Sequence, residues 1–138
     1  MSFLLDTNVV SELRKAARGN PQVAAWFRAI PTVDLYTSVV VIAELRRGIE
    51  RLRRHDVAQA LHLETWFSGV RDAFGARILP ITTSIAEEWG RINVPDPLPI
   101  LDGLLIATAR VHGLTLVIRD ASDLQRRGFA IFNPWAAG

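Results

Sequence analysis

The chain has 138 residues, of which 49% are hydrophobic and 22% charged, and it contains no cysteine. This size and composition predict one soluble domain, residues 1–138, with a full hydrophobic core, and they exclude a disordered chain. Without cysteine there are no disulfide bonds, no thiolate metal site and no cysteine nucleophile. No segment resembles a signal peptide or approaches the roughly 20 apolar residues that span a bilayer, so we expect a cytoplasmic protein.

Arginine dominates the basic residues of the chain. The formal net charge is +2 and the isoelectric point is about 9.9, and Lys15 is the only lysine. Arginine remains charged at neutral pH and binds phosphate groups through two parallel hydrogen bonds. The bias is compatible with a nucleic-acid partner, although a GC-rich genome also produces it.

Apolar runs and helical patterns alternate along the chain, which predicts an α/β fold with a mostly parallel sheet. Predicted strands cover residues 3–5, 33–37, 78–81, 114–118 and 129–132. Predicted helices cover residues 9–15, 21–30, 39–54, 57–74, 82–93 and 100–112, with a loop or short helix over 119–127. On the two longest helices the predicted core positions are Val41, Leu45, Gly48 and Leu52, then Leu61, Trp66, Phe67 and Val70.

An aspartate follows the first predicted strand directly. Residues 3–5 are typical of a buried strand in a parallel sheet, and Asp6 comes where this strand meets the first helix. Ligands of open α/β sheets bind at this carboxyl edge, so Asp6 is a candidate site residue. The alternative is a turn or capping residue only, and Thr7 and Asn8 are the predicted caps of the helix.

Two further acids interrupt apolar helical segments. Glu44 is the only charge in the first two turns of the helix that begins at Val39, and Asp102 has apolar residues one turn after it. We interpret both as acids at the border of a buried face or a cleft. The alternatives are a surface ion pair of Glu44 with Arg47 or Arg51, and a carboxylate of Asp102 favoured by the helix dipole.

Asp120 follows the predicted strand 114–118 as Asp6 follows the first strand, and Asp123 comes three residues later. If the two strands are neighbours, their terminal carboxylates repel each other unless a cation offsets the charge. Oxygen ligands without histidine or cysteine suit Mg²⁺ or Mn²⁺ rather than Zn²⁺. The alternative for these acids is an Asx turn. The histidines at positions 55, 62 and 112 are expected to be structural or exposed.

Four segments, residues 4–12, 38–48, 102–109 and 114–120, together resemble the PIN-domain ribonucleases in sequence and order. The ending Phe132-Asn133-Pro134-Trp135 is typical of the VapC/FitB-like subgroup, the toxins of type II toxin–antitoxin pairs. The resemblance covers the whole chain. It implies a PIN-like three-layer α/β/α fold with a mostly parallel central sheet.

The resemblance also implies a metal-dependent endoribonuclease that hydrolyses phosphodiester bonds in RNA. The acids that it assigns to binding Mg²⁺ or Mn²⁺ are Asp6, Glu44, Asp102 and Asp120. Many relatives carry asparagine at position 120 and a further acid at position 123, so Asp123 is a second candidate beside Asp120. Thr7 and Asn8 are candidates for orienting Asp6 or a metal-bound water, and Arg119 for contacting the scissile phosphate or pairing with the acids.

The partners implied by the resemblance are a cognate antitoxin, an RNA substrate and a second copy of the chain. We expect a homodimer or a larger toxin–antitoxin assembly, with operator DNA bound only through the antitoxin and no membrane. One alternative is a PIN-like module that binds nucleic acid or antitoxin and has little or no nuclease activity. A Mg²⁺-dependent phosphatase is disfavoured, because Asn8 rather than a second aspartate follows Asp6 by two residues.

Overall fold

A computed structural model describes residues 1–120 and 122–136 of the chain. Within these residues five strands form one parallel sheet: β1 (Phe3–Leu5), β2 (Leu35–Ser38), β3 (Ile78–Leu79), β4 (Thr115–Val117) and β5 (Ile131–Phe132). Their spatial order is β3-β2-β1-β4-β5. The chain therefore moves outward from β1 to β3 and then returns to the other side of β1.

Seven helices in the described residues connect and cover the strands: α1 (Thr7–Leu13), α2 (Pro21–Ala29), α3 (Val39–Arg53), α4 (Val57–Phe74), α5 (Thr83–Ile92), α6 (Ile100–His112) and α7 (Ser122–Arg126). Right-handed crossovers place the helices that follow β1 and β2 on one face of the sheet and the later helices on the other. The predicted α/β/α layers and parallel sheet are confirmed. None of the described helices combines the length and the apolar character needed to cross a membrane.

The predicted elements are present, and the differences lie at their ends. The strand predicted from residue 33 begins at Leu35, because a 3₁₀ turn, Thr32–Asp34, precedes it. This turn is closed by the N–H of Asp34, which donates to the carbonyl of Pro31 at 2.9 Å. The strands predicted over 78–81 and 129–132 have only two paired residues each.

Polar side chains start the helices that flank the sheet edge. The hydroxyl of Ser38 accepts from the N–H of Val40 at 3.0 Å and begins α3 at the predicted residue. The carboxylate of Asp6 accepts from the N–H of Val9 at 3.0 Å and begins α1 two residues earlier than predicted. The prediction that Thr7 and Asn8 cap this helix is therefore wrong, because Asp6 itself is the N-cap residue.

The core of α3 is rotated slightly from the predicted face. Val41 and Leu45 are buried as expected, but Gly48 is exposed and Ile49 is buried in its place. On α4 the predicted core residue Leu61 is also wrong, since 56% of its surface is exposed. The fully buried core side chains include Leu4, Leu5, Val9, Val23, Leu35, Val41, Phe67, Ile85, Ile106, Leu116 and Val117.

Gly103 allows α6, which carries Asp102, to pack closely against α5. A Cβ atom added at Gly103 would lie 3.0 Å from Nε1 and 3.2 Å from Cδ1 of the Trp89 ring. This indole N–H is buried and has no hydrogen-bond partner among the described residues. The ring is therefore placed by packing against the glycine.

We expect Gly103→Ala to lower the free energy of unfolding by about 1 kcal/mol or more, because overpacking outweighs the gain in helix propensity. Gly48→Ala is the matched control, since Gly48 lies within α3 with no atom within 4 Å of the added Cβ. There the usual gain of about 0.5–1 kcal/mol for replacing a helical glycine should appear. Urea unfolding of both variants checks the prediction, and stabilisation by Gly103→Ala would contradict it.

Candidate active site

The strand order places a crevice between β1 and β4. The chain leaves β1 toward β2 on one side and comes back to β4 on the other, and ligands of open parallel sheets bind at this switch point. Leu5 pairs with Val117, and the N–H of Asp6 donates to the carbonyl of Val117 at 3.1 Å. Asp6 and Asp120 thus follow neighbouring parallel strands and leave the sheet at the same edge.

Asp6 is the most buried of the candidate acids, with 5% of its surface exposed. Burial raises the pKa of its carboxyl from 3.8 to about 7. Burial is the largest cause of this rise, the carboxylates of Asp102 and Glu44 contribute to it, and the N–H groups of Val9 and Asn8 oppose it. Asp6 is therefore both the cap of α1 and a member of an acidic group, so its two readings are compatible.

Glu44 is half-buried and is held by a hydrogen bond from the start of α1. The hydroxyl of Thr7 donates to Oε1 of Glu44 at 2.5 Å. The ion pairs of the described residues do not include Glu44, so the alternative pairing with Arg47 or Arg51 is not observed. The Thr7 hydroxyl therefore holds Glu44, and its role in orienting Asp6 or a metal-bound water stays a prediction.

Asp102 lies in the first turn of α6 and is half-buried. Burial raises the pKa of its carboxyl, and the carboxylates of Glu44 and Asp120 add to the rise. A helix N-terminus acting alone would lower the pKa of a carboxyl. The helix-dipole alternative therefore does not describe Asp102 fully, because burial and like charges outweigh the dipole.

Asp120 is exposed. We include it in the acidic group because its negative charge contributes to raising the pKa of Asp102. Asp123 is also exposed but lies at the start of α7, where it pairs with Arg126 at 3.3 Å and with Arg127 at 3.8 Å. These pairs direct Asp123 toward its own helix. The side chain of Asn8 is exposed, and only its backbone N–H acts on Asp6.

Arg119 makes a contact that the sequence did not predict. Its guanidinium carbon lies 5.1 Å from the centroid of the Trp135 ring, and its carbonyl accepts from Nδ2 of Asn133 at 2.6 Å. Arg119 forms no ion pair with the acids in the part of the chain that the structure describes. The signal in the sequence was the Phe-Asn-Pro-Trp ending, which indicated a subgroup but not a contact.

The acids form an electrostatic group rather than a finished metal site. Across residues 1–120 and 122–136, no three acids or histidines are arranged so that they hold a metal ion as they stand. None of the ion pairs of these residues includes a member of the group, which consists of Asp6, Glu44, Asp102 and Asp120. Carboxylates that lie close enough to raise the pKa of Asp6 and Asp102, and that have no ion-pair partner among the described residues, suit a hard divalent cation.

An open parallel α/β sheet whose switch point carries carboxylates without ion-pair partners among the described residues is typical of proteins that bind ligands at an acidic site. The family profile of the PIN domain matches residues 3–130, and the chain belongs to this family. Toxin FitB from Neisseria gonorrhoeae is 34% identical over 138 residues, which cover 96% of this chain and 98% of FitB.

Two further comparisons agree with this assignment. VapC ribonuclease Y4jK from Sinorhizobium fredii is 33% identical over 141 residues, which cover 96% of this chain and 97% of that protein. The crystal structure of FitAcB from Neisseria gonorrhoeae superposes with a TM-score of 0.84 at 33% identity, covering 97% of this chain and 99% of the other. The resemblance to PIN domains of the VapC/FitB type is thereby confirmed.

Proposed function

We propose that the chain is a metal-dependent endoribonuclease and the toxin of a type II toxin–antitoxin pair. The observation that carries the proposal is the group of four acids at the switch point, none of which has an ion-pair partner among the described residues. Two relatives, one named a toxin and the other a ribonuclease, support the same function. The proposed ligands of Mg²⁺ or Mn²⁺ are Asp6, Glu44, Asp102 and Asp120.

A divalent ion bound there would supply a water of lowered pKa and offset the charge of the phosphate. The chain's own contribution is to hold the acids in place. Oδ1 of Asp6 accepts from the N–H of Val9, which holds the carboxyl at the start of α1. The Thr7 hydroxyl fixes Oε1 of Glu44, and the packing of α6 at Gly103 fixes the backbone beside Asp102.

The proposed partners follow from the same assignment. They are an RNA substrate, a cognate antitoxin and a second copy of the chain, with operator DNA bound through the antitoxin. Apolar side chains that remain exposed on α4, Val57 and Leu61, offer a surface for a protein partner. The aromatic side chains of Phe67 and Trp26 do not add to this surface, because Phe67 is buried and Trp26 packs against Phe3 and Phe132 within the fold.

The test is cleavage of single-stranded RNA by the pure protein, with Mg²⁺, with Mn²⁺ and with EDTA. We expect cleavage with either ion, none in EDTA, and a loss of at least about 100-fold in Asp102→Asn, since a ligand charge is removed. Asp72→Asn is the matched control, because Asp72 is an exposed acid on α4 and should leave the rate unchanged.

Two results would contradict the proposal. Equal cleavage by Asp102→Asn and the wild type would show that the activity does not depend on the acidic group. RNA binding without cleavage under any of the metal conditions would instead favour the second candidate, a PIN-like module that binds nucleic acid or antitoxin without nuclease activity.

A further inference from the structure

A cleft opens beside Asp120, at the side of the acidic group that lies nearest the end of the chain. It has a volume of about 360 Å³, and its walls include Arg119, Asp120, Gln125 and Asn133. A second cleft shares Arg119, Asp120 and Asn133 and adds Trp135. The two form one continuous depression, because four residues, these three and Ala136, line both. This depression borders the proposed active site through Asp120.

Within the depression the guanidinium of Arg119 lies over the indole ring of Trp135, and the two side chains together are called the Arg119–Trp135 platform. The guanidinium carbon lies 5.1 Å from the indole centroid. Asn133 bridges the backbones of the two residues, since its Nδ2 donates to the carbonyl of Arg119 at 2.6 Å and its Oδ1 accepts from the N–H of Trp135 at 2.9 Å. The ring is half-buried against the core, whereas Arg119 is exposed. The side of the guanidinium turned away from the ring therefore remains available to a ligand.

The charge of this platform is not used inside the described part of the fold. None of the ion pairs there includes Arg119. Arg119 contributes weakly to lowering the pKa of Glu12, whose carboxylate is already paired with Lys15 at 2.9 Å. The cation–π contact with Trp135 orders the guanidinium, and no carboxylate of the described residues pairs with it.

We propose that the Arg119–Trp135 platform binds the nucleotide next to the scissile phosphate of a single-stranded RNA, with the base stacked on the guanidinium. The inference rests on the proposed function, because it assigns a substrate position beside the acids. Unpaired bases stack on aromatic rings and on arginine planes, and every base has a face that can do so. The platform therefore selects single strands and tolerates different bases.

The test measures binding of an end-labelled single-stranded RNA in EDTA by fluorescence anisotropy, so that it does not depend on cleavage. In Arg119→Lys the charge remains but the plane is lost, and we expect the Kd to rise about tenfold, with a similar rise in Trp135→Leu. Arg14→Gln is the matched control, because Arg14 is an exposed arginine 5.9 Å from the Trp66 ring, and its Kd should not change.

A second readout separates stacking from a merely structural role. With Mg²⁺ or Mn²⁺ present, Arg119→Lys should raise KM about tenfold with little change in kcat, and its midpoint of thermal unfolding should equal that of the wild type. Double-stranded RNA of the same sequence should bind the wild type and Arg119→Lys equally. If Trp135→Leu does not fold, the exposed position 119 decides the question alone.

The outcomes distinguish this inference from the proposed function. Wild-type binding and KM in Arg119→Lys would show that only charge matters and would overturn the platform. An RNA affinity that depends on Arg119 in a protein without nuclease activity would support the platform and overturn the proposed function. Binding of an acidic peptide, but not of RNA, through Arg119 would overturn the inference by assigning the depression to a protein partner.

Discussion

The Asp6→Asn protein should be more stable than the wild type at about pH 8 without divalent ions, and it should no longer cleave RNA. Both effects arise from one buried carboxyl. Burial and the charges of Asp102 and Glu44 raise the pKa of Asp6 to about 7, so its ionised form is unfavourable in the folded protein. Asparagine removes the charge but retains an oxygen that accepts from Val9, so the cap of α1 is kept.

The direction of the pH dependence follows from the two pKa values. The unfolded chain releases the Asp6 proton near 3.8, whereas the folded protein retains it up to about 7. Between these values the folded state binds more protons, so the free energy of unfolding falls as the pH rises. The full loss is on the order of 4 kcal/mol at about 1.4 kcal/mol for each pKa unit, and it is present above pH 7.

Urea unfolding in EDTA at about pH 5 and about pH 8 measures this difference. Wild-type stability should be lower at the higher pH, and Asp6→Asn should show a smaller change. Added Mn²⁺ should stabilise the wild type with the logarithm of its concentration and should stabilise the variant much less. Asp72→Asn is the control, because an exposed acid should leave both the pH dependence and the response to Mn²⁺ unchanged.

Three outcomes would contradict the account of Asp6. A wild-type protein whose stability in EDTA rises from about pH 5 to about pH 8 would show that the Asp6 carboxyl does not determine how the free energy of unfolding depends on pH. An Asp6→Asn protein that cleaves RNA at the wild-type rate would remove Asp6 from the proposed ligands. A variant that is less stable than the wild type at about pH 8 would leave Asp6 as a capping residue only.

The acids at the strand ends were predictable because a buried strand and the residue after it have a local signature. Asp6 and Asp120 each follow an apolar run, and parallel strands end at one edge. What brings Glu44 to Asp6 is not local. The hydrogen bond from Thr7 to Glu44 joins residues 37 positions apart, and it depends on how α1 packs against α3. A pattern within one helix contains no information on that contact.

The predicted core of the two long helices shows a second limit. Gly48 has no side chain to bury. Its spacing from Val41 and Leu45 therefore placed it on the same face of α3 but gave no sign of whether another element covers that position. On α4, apolar residues occur on several sides of the helix, including Leu61, Trp66 and Phe67, so periodicity does not select one face. The neighbouring helix α3 makes the selection by ion pairing and packing.

The ion-pair network between α3 and α4 explains why Phe67 is the residue that faces inward. Arg46 makes two hydrogen bonds to Glu64, at 2.8 and 2.7 Å, and Arg53 makes one at 2.7 Å. The hydrogen bonds from Arg46 are the main cause that lowers the pKa of Glu64 to about 2. These bonds tie Glu64 of α4 to α3. Phe67, three residues after Glu64 on α4, therefore lies beneath the guanidinium of Arg46.

Replacing Phe67 by alanine should lower the free energy of unfolding by about 3–5 kcal/mol, the range for deleting a buried aromatic ring. The side chain is 1% exposed, and the guanidinium carbons of Arg46 and Arg71 lie 5.0 and 4.9 Å from the centroid of its ring. The variant loses the buried apolar surface and both cation–π contacts, and the residual cavity adds to the cost because the surrounding side chains relax only partly.

Leu61→Ala is the matched control on the same helix, because its side chain is apolar but 56% exposed. Its free energy of unfolding should change by no more than about 0.5 kcal/mol, as for other surface substitutions. Urea unfolding at a protein concentration low enough to keep the chain monomeric measures both variants, and equal m-values allow their midpoints to be compared.

Similar losses for the two variants, or a larger loss at Leu61, would mean that α4 is rotated about its axis relative to the arrangement described above. In the observed arrangement the ion pair with Glu64 holds Arg46 over Phe67, so Glu64→Gln should lower the free energy of unfolding. If α4 were rotated, this pair would not form, and Glu64→Gln should leave the free energy of unfolding unchanged.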